Sequence, residues 1–254
     1  MAIAIGSETP APAEPLPAPL AVAFDRALGR AFVAFQPIVS FRDRTVFGWE
    51  ALVRTRDPGY SSANEIVQAA ESLGQLRALG RIVRAAAGEA AARAPGGVSL
   101  FVNLHAKDLL DPELFAGSSP LSRVAPRVVL ELTERAATSG VPDFGGRLAA
   151  LRRMGFRIAV DDLGAGYSSL GLLANVRPDL VKLDRELVHD LDRHAPRRRI
   201  VRHLLALLED LGTVAVAEGV ETAEERDALL ALGSPLLQGF LFGVPAEGLG
   251  APRW

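Results

Sequence analysis

The stretch Ile158-Ala159-Val160-Asp161-Asp162-Leu163-Gly164-Ala165-Gly166-Tyr167-Ser168-Ser169 decides how this chain is read. An apolar run that stops at two adjacent carboxylates reads as a buried strand delivering negative charge to a sheet edge. Two carboxylates held close repel each other, so one is neutralised or a cation sits between them. The competing reading is an ordinary strand-to-helix turn, with Asp162 or Ser168 capping the next helix. The choice turns on whether other strands of the chain end in the same way.

Working outward, they do. Val46–Trp49 ends at Glu50, Ser99–Val102 at Asn103, and Val128–Leu130 at Glu131, with Glu134 one turn on. Leu180–Val181 ends at Lys182, Val214–Ala217 at Glu218, and Leu236–Leu237 at Gln238. Helix-period segments separate these runs: 64–93, 142–154, 168–174, 196–211 and 222–232, with a short helix near 106–110. Before them, Ala31–Val39 and Thr45–Arg54 flank the polar turn Arg42-Asp43-Arg44 and predict an antiparallel hairpin. Repeated β-then-α alternation predicts parallel strands joined by right-handed crossovers. The fold class is therefore α/β, a modified TIM (β/α)8 barrel with an antiparallel first strand.

In such a barrel the strand ends converge on the C-terminal face, where barrel active sites lie. Clustered carboxylates in one cleft cannot all remain ionised without cations. Oxygen-only ligands favour Mg²⁺, Mn²⁺ or Ca²⁺ over zinc. The chain has no cysteine, which excludes a disulfide framework and thiolate ligation. Of 28 basic residues only Lys107 and Lys182 are lysines. A chain so biased towards arginine has reason to keep Lys182 where a compact, deprotonatable amine is needed.

The net charge of −2 argues against direct binding of nucleic-acid polymers or attraction to membranes. The 254 residues, 49% hydrophobic, suffice for one large core. No basic residue precedes Arg26, and prolines interrupt the first 20 residues, so no secretory signal is read there. With no apolar run of spanning length, a cytoplasmic protein is expected. Residues 1–20 read as a disordered Ala/Pro-rich tail and 21–254 as a single barrel domain. Gly164-Ala165-Gly166 is no dinucleotide fingerprint, because the aspartate pair would repel a pyrophosphate unless metals intervene.

The same residues carry a family resemblance. Gly48-Trp49-Glu50-Ala51-Leu52-Val53-Arg54 resembles the signature of the EAL-domain family, phosphodiesterases specific for cyclic di-guanylate (c-di-GMP). The likeness continues through Gln36-Pro37-Ile38-Val39, Asn103-Leu104, Glu131-Leu132-Thr133-Glu134, the Asp161–Ser169 stretch, Val181-Lys182-Leu183-Asp184, Ala217-Glu218-Gly219-Val220-Glu221 and Gln238-Gly239-Phe240. It implies hydrolysis of one phosphodiester bond of c-di-GMP to linear pGpG with two divalent cations, Mg²⁺ or Mn²⁺, and inhibition by Ca²⁺. Glu50, Asn103, Glu131 and Asp161 would hold one metal; Asp161, Asp162 and Glu218 would hold the other. Lys182, with Glu50 and Glu218, would serve catalysis, the lysine positioning or deprotonating the attacking water. Nearby cations would lower its pKa.

By the same resemblance Gln36, Arg54, Asp184 and Gln238 would contact substrate, and Glu134 would anchor the loop after the aspartate pair. Glu221 reads as a cap for the helix near Thr222. A homodimer is implied, and the length leaves sensory input to an upstream partner. Leu163, Ala165 and His105 stand where the family commonly has Phe, Thr and Ser. None of these departures removes an expected ligand. The alternative is a non-catalytic c-di-GMP receptor or protein-interaction module on the same fold.

Overall fold

The computed structural model describes residues 18–133, 140–165 and 170–254. Among these, eight strands close into one barrel in sequence order: β1 (Ala31–Ser40), β2 (Thr45–Thr55), β3 (Ser99–Asn103), β4 (Val128–Thr133), β5 (Arg157–Leu163), β6 (Leu180–Leu183), β7 (Val214–Ala217) and β8 (Leu236–Gln238). β1 pairs antiparallel with both β2 and β8, and every other neighbouring pair is parallel. The expected hairpin forms around the turn after Ser40, whose hydroxyl donates to Asp43 at 2.6 Å.

Helices α1 (Ala18–Leu28), α2 (Ala63–Ser72), α3 (Leu76–Arg93), α4 (Phe144–Arg153), α5 (Leu170–Val176), α6 (Arg185–Val188), α7 (Ala195–Asp210) and α8 (Ala223–Ala231) surround the barrel. The helical stretch read over 64–93 is two helices, broken where Gly74 takes φ +66°. Helix α1 starts inside the segment read as a tail. Its Phe24 and Ala27 pack with Ile66, Ala70 and Leu79 of α2 and α3 in a small separate core. Thr222, not Glu221, caps α8, in a reciprocal box with Glu225, whereas Glu221 pairs with Arg185 at 3.0 Å.

Alternation along each strand sorts the side chains. Val128, Leu130 and Leu132 of β4, Val181 and Leu183 of β6, and Ala215 and Ala217 of β7 face outward into the main core beneath the helices. Ile38, Phe101, Val129, Ala159, Leu180, Val216 and Leu236 face inward and form an apolar plug. Gly48 makes room in this plug, since a Cβ there would lie 2.4 Å from the Ser99 carbonyl and 3.1 Å from the Phe101 ring. The next inward position is two residues further towards the C-terminal face. On that level stand Glu50, Asn103, Glu131, Asp161, Lys182, Glu218 and Gln238, with Gln36 on the reversed strand β1. The polar layer thus rests directly on the plug.

Candidate active site

Lys182 occupies the centre of this layer and is 1% exposed. Its Nζ lies 2.6 Å from Glu218 Oε1, 2.8 Å from Glu131 Oε1, and 3.3 Å from both Glu50 Oε2 and Asp161 Oδ1. Four carboxylates therefore share one ammonium. Amides fix the orientation of Glu50: Asn103 Nδ2 donates to its Oε1 at 3.0 Å and Gln238 Nε2 to its Oε2 at 2.6 Å. Gln238 Nε2 also lies 3.2 Å from Gln36 Oε1, and Gln36 Nε2 donates to the Gly243 carbonyl at 3.0 Å.

Glu50 is not a strand terminus. β2 runs on to Thr55, and Glu50 is a buried mid-strand residue opposite Gln36. Asp161 and Asp162 likewise lie within β5, where adjacent residues ordinarily face opposite sides. The pairing with β6 is irregular between Val160 and Leu163, and Asp162 takes φ +59°, a conformation aspartate tolerates. This irregularity brings ligand atoms of Asp161, Asp162 and Glu218 within 4.8 Å of one another.

The electrostatics follow from one cation among many acids in a dry layer. Burial opposes ionisation of Glu50, but the Lys182 ammonium and its amide donors outweigh that and lower its pKa. Burial, reinforced by repulsion from Glu50 and Asp161, pushes Glu131 and Glu218 well above the ordinary glutamate value. Asp161 is raised by burial and by repulsion from Glu50. Asp162 is pushed up to about 6 by burial and by the charge of Asp161. Burial alone would lower Lys182, yet the four surrounding carboxylates raise it well above the usual lysine value. In the absence of cations, Lys182 is thus a fixed ammonium and not the lowered base that nearby cations would create.

The donor set suits divalent cations. Glu131 Oε2 is buried with no hydrogen-bond partner, and Glu131 Oε1 and Asp161 Oδ1 have only the ammonium they share with two other carboxylates. Buried carboxylate oxygens that a single ammonium cannot satisfy are costly unless a further cation takes them. Oxygen-only donors favour Mg²⁺, Mn²⁺ or Ca²⁺.

Two cavities open beside the centre and share Glu50 and Leu52. One, of about 330 Å³, is lined by Gln36, Asp184, Glu218, Gln238 and Phe240. The other, of about 420 Å³, is lined by Asn103, His105, Asp108, Asp161 and Asp162 and by residues of α2 and α3 that are apolar apart from Asn64. The Asp184 carboxylate accepts from the Glu186 amide at 2.8 Å and so caps α6. Arg54 lines neither cavity; its guanidinium donates to the Val53 carbonyl at 2.7 Å. Glu134 lies outside the described residues.

Sequence reasoning missed the supports of this wall. Arg84 of α3, 5% exposed, pairs with Asp108 at 2.9 Å and Asp111 at 2.7 Å behind the segment that follows Asn103. An arginine on the buried face of a helix was the available signal. Gly239 was also missed. A Cβ there would meet the Val220 carbonyl at 2.0 Å, so only glycine lets the end of β8 pass close to the loop after Glu218.

Fold and site together define an eight-stranded barrel with a buried carboxylate–lysine centre on its C-terminal face. Residues 21–245 match the EAL domain, and the chain belongs to the EAL-domain family. It is 32% identical over 221 residues to the probable cyclic di-GMP phosphodiesterase PdeG of Escherichia coli K12, covering 83% of this chain and 44% of that protein. It is 36% identical over 235 residues to a signalling protein of Caulobacter vibrioides, covering 87% of this chain and 28% of that protein. Among solved structures, the manganese/cy-diGMP complex of Klebsiella pneumoniae BlrP1 is similar, with TM-score 0.78 and 33% identity over 89% of this chain and 58% of that one. A standalone EAL protein from Vibrio cholerae O395, in its c-di-GMP-bound form, matches with TM-score 0.73 and 28% identity, covering 88% and 95%. The chain spans 27–44% of the length of the first curated relatives it matches.

Proposed function

We propose that this chain hydrolyses one phosphodiester bond of c-di-GMP, giving linear pGpG, in a reaction that depends on Mg²⁺ or Mn²⁺. The observation that carries the reading is the ring of four carboxylates around Lys182, more buried negative oxygens than one ammonium can satisfy. Glu50, Asn103, Glu131 and Asp161 would hold one cation, and Asp161, Asp162 and Glu218 a second. When bound, such ions supply charge neutralisation and Lewis-acid activation for displacement at phosphorus. The relatives and neighbours named for c-di-GMP support the choice of substrate.

The protein's own groups perform the rest. Asn103 and Gln238 hold Glu50 in one orientation, so the site needs little reorganisation on binding. Gln36, Gln238 and Asp184 border the smaller cavity, and Glu50 joins it to the larger one, so an elongated cyclic dinucleotide can lie across the centre. Lys182 Nζ is held protonated by its carboxylates. With those carboxylates shared with cations, the field on Nζ would weaken and its pKa fall, so that the ammonium could release a proton to solvent and the neutral amine then take one from the attacking water.

Incubation with c-di-GMP and Mg²⁺, Mn²⁺ or Ca²⁺, followed by chromatography, tests this. Linear pGpG is expected with Mg²⁺ and Mn²⁺ and none with Ca²⁺. Tight nucleotide binding without turnover in saturating Mn²⁺ would instead establish a receptor.

A further inference from the structure

We propose that His105 is a substrate-contact residue whose Nε2–H donates a hydrogen bond to the guanylate half of c-di-GMP seated in the 420 Å³ cavity. The inference rests on the c-di-GMP reading above and adds a residue to it. His105 lines this cavity together with Asn103, Asp161 and Asp162. Its Nδ1 accepts the Lys107 backbone N–H at 3.1 Å. In the neutral ring the proton therefore resides on Nε2, at the far side of the imidazole from the backbone. One nitrogen holds the local turn, and the other is left as a donor.

The ring is mounted on a fixed support. The His105 backbone N–H donates to Asp108 Oδ2 at 3.1 Å. Asp108 is buried and lies 2.9 Å from Arg84, which is itself bonded to Asp111 at 2.7 Å. Gly80 of α3 makes space for this pair, since a Cβ there would lie 2.6 Å from Asp108 Oδ1. A donor held this way adds affinity without an ordering cost. Val67, Leu76, Leu79 and Val83 of α2 and α3 line the same cavity and offer a nucleobase apolar contact, with Asn64 the polar side chain that α2 contributes. The polar edge of a nucleotide placed there can meet the His105 donor while its face rests on the apolar residues.

Two substitutions separate the two nitrogens. In His105→Asn the amide oxygen replaces Nδ1 as the cap and the Nε2 donor is lost. In His105→Gln the amide nitrogen reaches the Nε2 position and the cap is lost. The readouts are KM and kcat for c-di-GMP with Mn²⁺, c-di-GMP Kd with Ca²⁺, and melting temperature. The Asn variant should melt like the wild type and show KM and Kd raised about five- to tenfold, the loss of one neutral hydrogen bond, with kcat little changed. The Gln variant should melt lower and restore KM and Kd to within about twofold. Equal KM and Kd in all three proteins would overturn the proposal, as would a rise in the Gln variant alone. A rise in both variants that tracks lower melting temperatures would also overturn it, leaving His105 a cap. If the wild type binds without turnover, the phosphodiesterase reading fails, and the Kd series still decides the role of His105.

Discussion

Lys182→Met keeps the length and apolar stem of the side chain and removes the ammonium from among four carboxylates 2.6–3.3 Å away. Removing one partner of a buried ion pair costs about 3–5 kcal/mol, because the remaining charge is left uncompensated. Glu131 and Glu218 already sit well above the ordinary glutamate value. They can take up protons and absorb part of that cost, which places the loss near the lower end. For a domain of this size each kcal/mol moves the melting temperature by about 2–4 °C. The variant should therefore melt roughly 6–12 °C below the wild type in EDTA. Mn²⁺ should then raise its melting temperature by more than it raises that of the wild type, because no ammonium competes for the carboxylates. Turnover of c-di-GMP should be abolished. Differential scanning calorimetry with and without Mn²⁺, beside a product assay, tests all three statements. Equal melting temperatures in EDTA, or a smaller Mn²⁺ shift in the variant, would refute the idea that Lys182 acts as a resident cation.

Three further outcomes are expected. Arg84→Met leaves Asp108 buried without an ion-pair partner, while Asp111 keeps Arg81 at 2.7 Å, and should cost about 3–5 kcal/mol in urea denaturation. Gly48→Ala forces a methyl to 2.4 Å from the Ser99 carbonyl, beside the Phe101 ring, and should cost about 1–3 kcal/mol by the same measurement. Asp162 is held at about 6, above the ordinary aspartate value. Its contribution to stability is present below that ordinary value and is lost as pH rises through about 6. Cation binding has the opposite sign because the ligand must be ionised. Calorimetric Mn²⁺ affinity should rise between about pH 5 and about pH 7.5, and this rise should flatten in Asp162→Asn.

The sequence by itself determined the strand order, the antiparallel start and the identity of the polar ring. Alternation with period two needs only local pattern, so Val129 before Glu131, or Leu180 before Lys182, already implies an inward plug capped by charge. It did not reveal helix α1 or the break at Gly74, since helix limits depend on which faces find a partner, as Phe24 does against Ile66. It also misplaced Glu50 as a strand end, because barrel stagger, not the end of an apolar run, sets the height of a side chain. Only the tertiary structure decided that a strand irregularity turns Asp162 towards Asp161 and Glu218. The ionisation of the site was equally invisible in the chain. Whether Lys182 is a base or a locked ammonium depends on how many carboxylates surround it and how dry they are, and both are properties of packing.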